Sequence, residues 1–191
     1  MHPQKIELPE DRQERLLFIS KQFPNNCGQF LSEKWKGGRK EALAKLASID
    51  PIKYGQTRNF LDGEVTHLSP YLRHGCLSLS EAISAAKDHS LSGNEKLLFE
   101  FAWRDYWRQI WYVIGNKIYT DIEAPKVNLK RKTLPKDLIE AQTGLKCIDS
   151  FVEDLRSSGY IHNHARMWLA SYVIYWLGVD WRQAARWMHD L

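Results

Sequence analysis

The sequence predicts an all-α chain, a multi-helix protein with no substantial sheet, and three observations predict it. Apolar residues recur at spacings of three and four along most of the chain. Helix start and stop signals punctuate those stretches. Nowhere do apolar and polar residues alternate well enough to make a convincing strand.

Leu16, Leu17, Ile19 and Phe23 follow a charged run after Pro9 and read as a first amphipathic helix. A second runs from Arg39 to Ile49 and stops at Asp50-Pro51, because a residue before proline is pushed out of the helical region. Residues 52–76 are expected to be turns, marked by Tyr54-Gly55, Asp62-Gly63 and Ser69-Pro70. Ser78 opens SLSE, a capping box with Glu81 three places on, and predicts a helix to about Lys87. The longest helix starts at Gly93-Asn94 and ends at Gly115. Residues 116–142 read as a solvated connection carrying Lys126, Lys130, Arg131, Lys132 and Lys136. Cys147–Arg156 forms a short helix ending near Gly159, and Ile161–Leu177 an apolar one closed by Gly178. Asp180 caps a last helix.

The 191 residues suit one domain of ordinary size, and 43% hydrophobic with 26% charged residues excludes a disordered chain. No apolar run reaches the ~20 residues of a membrane span. The first residues lack the layout of a secretory signal. Cys27, Cys76 and Cys147 form no CxxC pair, so disulfide frameworks and thiolate zinc sites are poor expectations and a reducing, cytoplasmic setting is expected. No metal is expected either: His162 and His164 lie two apart, on different sides of a helix. The unusual feature is aromatic content. Seven of the eight tryptophans fall between Trp103 and Trp187.

On the long helix Glu100, Trp103, Arg104, Trp107 and Trp111 share one side. Two arrangements satisfy that pattern. In one, the helix is buried, Glu100 pairs with Arg104 and the indoles pack. In the other, the face walls a cavity for a flat ligand, with the charges addressing its polar edge. Asn163, Arg166 and Met167 likewise share a face, with Ala170 beyond. An amide and a guanidinium there need partners if buried, since unpaired burial of a polar group costs ~1–3 kcal/mol. The segment Val65-Thr66-His67-Leu68-Ser69-Pro70 offers hydroxyls and backbone N–H groups that can cradle a phosphate.

Together these segments resemble the FAD-binding domain of the DNA photolyase/cryptochrome family, from about Tyr54 to the last residue. YGQTRNFLDGEVTHLSPYLRHGCLS is similar to the family's Tyr…Arg-Asn/Asp…Thr-Ser-x-Leu-Ser-Pro segment, and FEFAWRDYW to its Glu-Leu-x-Trp-Arg helix. QTGLKCIDSFVEDLRSSGYIHNHARM resembles Thr-Gly…Asp…Gly-(Trp/Tyr)-x-His-Asn-Arg-x-Arg-Met, and GVDWRQAARWMHDL resembles Asp-Trp-Arg-x-Gly.

The resemblance implies a helical FAD domain, a light-driven repair chemistry on pyrimidine dimers, and DNA as partner, single-stranded or dimer-containing. Tyr54 and the loop Val65, Thr66, His67, Leu68 and Ser69 would hold the flavin's phosphates and ribityl chain. Arg104 and Asn163 would sit near the flavin, and Arg166 would face its ring. Arg58, Trp103 and Asn163 would face the flipped dimer, with Trp103 stacking on it and Glu100 hydrogen-bonding its bases; Trp107 and His164 fall on the nucleic-acid side. Trp181 keeps one place of the family's three-tryptophan electron-transfer chain, whose outer place aligns with Leu138. Val65-Thr66 replaces the family's Thr-Ser, His164 replaces an arginine, and Lys146 replaces a proline.

The expected organisation is a helical lead-in over 1–50 and a partial FAD-binding domain over 51–191. It is a short form without the N-terminal antenna domain, ending before the family's Asp-Gly-Asp and Asn-Asn segments. A second function fits the same residues: a helical module of this descent that binds nucleic acid or a protein without flavin photochemistry.

Overall fold

The computed structural model describes residues 7–24, 35–89, 92–124 and 131–191. Cys27, Lys126 and Lys130 lie outside them. The chain forms two compact units, residues 1–33 and Lys34–Leu191. The first contains α1 (Arg12–Gln22), which starts where the Asp11 carboxylate accepts the Gln13 and Glu14 N–H groups at 2.8 and 3.0 Å.

The second unit is built from nine helices among its described residues. They are α2 (Arg39–Ala47), α3 (Pro51–Thr57), α4 (Ser69–Arg73), α5 (Leu79–His89), α6 (Glu95–Ile114), α7 (Lys136–Ile139), α8 (Lys146–Ser158), α9 (Asn163–Ser171) and α10 (Trp181–Asp190). Among the described residues the only β pairing is an isolated parallel bridge between Arg131 and Val179. No described helix is long and apolar enough to cross a membrane.

Local chemistry sets most of the boundaries. Before α5, the Ser78 hydroxyl accepts the Glu81 N–H at 3.2 Å while the Glu81 carboxylate accepts the Ser78 N–H at 2.8 Å, the reciprocal bonds of the capping box. Gly115 closes α6 at φ 55°, and Gly159 closes α8 in the left-handed conformation at φ 67°, where a side chain would be strained. Asp180 accepts the Arg182 N–H at 2.9 Å and opens α10.

Three expectations need correction. The stretch 52–76 is not all turn. Asp50 accepts the Lys53 N–H at 2.9 Å and Pro51 sits in the first turn, so the proline that ends one helix begins α3. Gly55 is helical there, and the face it presents lies close to α6: a Cβ on Gly55 would meet Lys96 Cβ at 3.6 Å. Ser69-Pro70 likewise opens α4. The connection 116–142 contains a 3₁₀ turn, Gly115–Tyr119, and α7. The apolar stretch 161–177 is not one α-helix, because His162 is the cap of α9 and Tyr172–Trp176 widens into a π-helical turn. There Leu177 N–H bonds Tyr172 C=O at 3.1 Å.

Two cores result. Leu68, Leu77, Leu97 and Phe101 pack with Ala42, Ala82 and Ala86 between α2, α4, α5 and α6. Leu138, Phe151, Val152, Leu155, Leu169, Val173 and Val179 pack around α8 and α9. Each core buries only one stripe of its helices, which leaves the polar side chains between them free to line cavities.

Candidate flavin and lesion site

The first hollow, about 220 Å³, lies where α3, the 64–69 segment, α6 and the start of α9 meet. It gathers Tyr54, Arg58, Val65, Thr66, His67, Leu68, Ser69, Glu100, Arg104, Asn163 and His164, eleven sequence-predicted residues from four segments. Leu68 is fully buried and serves the core, while the Thr66 hydroxyl accepts the Leu68 N–H at 3.3 Å and fixes the turn. His67 holds a positive φ of 52°, unusual for a residue with a side chain. Its ring packs 5.6 Å from both Trp35 and Tyr160.

Glu100 does not pair with Arg104. Its Oε1 binds Arg58 Nη1 and Lys96 Nζ, each at 3.1 Å. Arg58 follows the last turn of α3, and the packing of α3 on α6 brings it to Glu100 across that interface. Burial then pushes the Arg104 guanidinium down from its ordinary value, and the charges of Arg108 and Arg73 push the same way.

The other predicted residues are placed elsewhere. Arg166 lines a second hollow of about 530 Å³, with Trp181, Ala184 and Met188. It also lines a third, about 690 Å³, with Arg73, Arg104, Lys36 and Ser69. Ser69 and Arg104 belong to the first and third hollows, and Arg166 to the second and third, so the three adjoin. Trp103 and Trp107 line none of them. They stack 6.4 Å apart on the solvent side of α6, 45% and 57% exposed, with Trp111 56% exposed beyond them. The indole ladder is therefore neither packed core nor wall of the cavity that Glu100 faces.

Sequence reasoning missed Tyr160, which lines the first and third hollows, and Arg73, which lines the second and third. Tyr160 stands in the Gly-(Trp/Tyr)-x-His-Asn motif and could have been found there. Arg73 carries no local signal, since its neighbours Arg104 and Arg166 arrive from other helices.

The donor set suits an anionic, planar, polar-edged group such as FAD. Four cations, Lys36, Arg73, Arg104 and Arg166, line the third hollow, and among the described residues no Asp or Glu side chain does. A pyrophosphate would add charge-assisted hydrogen bonds to these groups. In the first hollow His162 Nδ1 accepts the His164 N–H at 3.1 Å, so the neutral ring carries its proton on Nε2. His164 Nδ1 is buried without a partner. An orphaned ring nitrogen beside a polar cavity is unsatisfied unless a ligand or water meets it.

The same cap gives a pH dependence. Burial, and secondarily the neighbouring His164, lowers the His162 pKa from its ordinary value. The unfolded chain then binds the proton more readily than the folded one, so stability is complete above the unfolded value of about 6.5 and declines as pH falls below it. Acid places a proton on Nδ1 and removes the acceptor that caps α9. Thermal melts between about pH 7.5 and 5.5 should show this decline, and His162→Asn, which caps without titrating in that range, should flatten it.

Comparison with known proteins gives the same reading. Residues 97–191 match the family model described as the FAD binding domain of DNA photolyase. A cryptochrome DASH of Solanum lycopersicum is 31% identical over 166 residues, covering 79% of this chain and 29% of that protein. A deoxyribodipyrimidine photo-lyase of Streptomyces griseus is 31% identical over 175 residues, covering 87% of this chain and 38% of its own length. Among solved structures, a Synechocystis sp. cryptochrome superposes with a TM-score of 0.73 at 27% identity, over 83% of this chain and 36% of that one. An archaeal photolyase from Sulfolobus tokodaii, solved with two FAD molecules, gives 0.70 at 27% identity, over 84% and 37%. The chain spans roughly a third of the length of these relatives. Ordered motifs, helical fold and shared sequence together make this chain a member of the DNA photolyase/cryptochrome family, corresponding to its helical FAD-binding domain.

Proposed function

We propose that the chain binds FAD across the three adjoining hollows and serves light-driven repair of pyrimidine dimers in DNA. The observation that carries this reading is the third hollow: four cations, no acidic side chain among the described residues, and a hydroxyl-bearing loop at its edge. Arg73, Arg104 and Ser69 would hold the pyrophosphate, and Arg166 would sit toward the ring end, where Trp181 lines the wall. Bound FAD supplies light absorption and one-electron transfer, chemistry that no side chain provides.

The chain's own residues bind and orient. Arg58 and Lys96 fix the Glu100 carboxylate in place, so it is ready to accept hydrogen bonds from the edge of an extruded base. Asn163, at the same cavity, offers an amide that both donates and accepts. The exposed Trp103–Trp107 stack supplies a flat apolar surface for unstacked bases. The match of residues 97–191 to an FAD binding domain model favours this reading over a flavin-free module.

The absorption spectrum of freshly purified protein tests the cofactor. A flavin band, present at once or after incubation with excess FAD, is the expected result, and its absence after reconstitution would overturn the reading. Trp103→Ala should weaken binding of dimer-containing single-stranded DNA by about 1–3 kcal/mol, the value of one lost base stack. Fluorescence anisotropy titration measures it, and an unchanged affinity would remove Trp103 from the binding surface.

A further inference from the structure

We infer that Asp121 is the proton acceptor for oxidised Trp181, so that electron loss from this indole is coupled to proton loss. The Trp181 Nε1–H donates to Asp121 Oδ1 at 2.6 Å. Asp121 Oδ2 faces Arg182 Nη1 at 3.4 Å. Arg182 is itself fixed by Asp180, with Nε and Nη2 each 3.0 Å from a carboxylate oxygen, and its Cζ lies 5.6 Å from the centre of the Trp181 ring. One guanidinium therefore orients the carboxylate and covers the indole.

The arrangement acts differently on the two oxidation states. A cation near the ring is attracted to the neutral indole and repelled by a ring that has lost an electron. Indole nitrogen is a donor only, and losing an electron makes its N–H strongly acidic. The step balances simply: the electron leaves to a one-electron oxidant, the Nε1–H bond breaks, and the proton forms an O–H bond on Asp121 Oδ1. What remains is a neutral indolyl radical beside a neutral carboxylic acid, and Arg182 no longer opposes the charge on the ring. When an electron returns, the proton goes back along the same hydrogen bond. Arg182 is a positioning residue, and Asp121 touches the reacting atom. The physiological use of this step rests on the reading of Trp181 as an electron carrier at the wall of the second hollow, which it shares with Arg166.

The test needs no flavin. The full chain is oxidised by flash-quench with soluble tris(bipyridyl)ruthenium, and transient absorption distinguishes the indole radical cation from the neutral radical. The component lost in Trp181→Phe belongs to Trp181. In the wild type that component should appear as the neutral radical, with a solvent deuterium isotope effect on its formation. In Asp121→Asn it should persist as the cation and deprotonate about a hundredfold more slowly, the scale of a positioned proton acceptor. Asp121→Glu should restore the fast step. Equal deprotonation in wild type and Asp121→Asn would overturn the proposal, as would a transient unchanged by Trp181→Phe, since the hole would then not reside there. Failure of the flavin reading shows separately, as a missing flavin band with this proton transfer intact.

Discussion

Replacing Leu169 by alanine lowers the unfolding free energy by about 2–5 kcal/mol, the range for deleting a fully buried leucine side chain. Leu169 is 0% exposed, in the core that Leu138, Leu155, Val173 and Val179 share with it. Against the roughly 5–15 kcal/mol of total stability usual for a domain, that is a large fraction. It corresponds to a fall in melting temperature of roughly 10 °C for a unit of this size. The loss combines the removed apolar surface with the cavity left where α8 and α9 cannot close in. Leu169→Met, which conserves volume, should stay within about 1.5 kcal/mol. Urea titration of the two variants checks both values. Because α9 also carries Asn163 and Arg166, Leu169→Ala should loosen the first and second hollows, and a shared midpoint for the two variants would contradict this packing.

Changing Arg104 to methionine should lower FAD affinity about 10- to 100-fold, from losing a charge-assisted hydrogen bond of about 1.5–3 kcal/mol, without lowering the melting temperature of the flavin-free protein. The opposite behaviour of the two readouts follows from the site. Arg104 is half-buried, no acidic side chain among the described residues pairs with it, and Arg73 and Arg108 repel it, so the apo fold gains nothing from its charge. Methionine keeps an apolar stem against α6's neighbours and removes the guanidinium. Arg104→Lys should fall between, because an ammonium keeps the charge and loses the planar fork. Flavin fluorescence titration gives the affinities and calorimetry the melts. A variant destabilised in the apo state with unchanged flavin affinity would make Arg104 structural.

Much of the fold was legible because helix boundaries are local chemistry. Ser78 and Glu81 lie three residues apart, Asp180 sits two before the N–H it accepts, and Gly115 and Gly159 take their conformations within one turn. The errors arose where one signal has two meanings. Pro51 stops a helix and starts another, and Ser69-Pro70 is both a turn pair and a helix opening; packing on neighbouring helices decides. The π-helical turn at Tyr172–Trp176 has no mark in its apolar sequence.

The all-α class, the family and most of the residues that meet in the first hollow are written in short-range spacing or in an ordered motif. Tertiary structure alone decided the electrostatics. It gave Glu100 to Arg58 rather than Arg104, joined Arg73, Arg104 and Arg166 from three helices around one hollow, and set Asp121 on Trp181 across 60 residues of chain. It also turned Trp103, Trp107 and Trp111 toward solvent. The physical reason is range: capping and periodicity act within a turn, whereas the partner of a charge or the cover over an indole comes from whichever helix packs beside it.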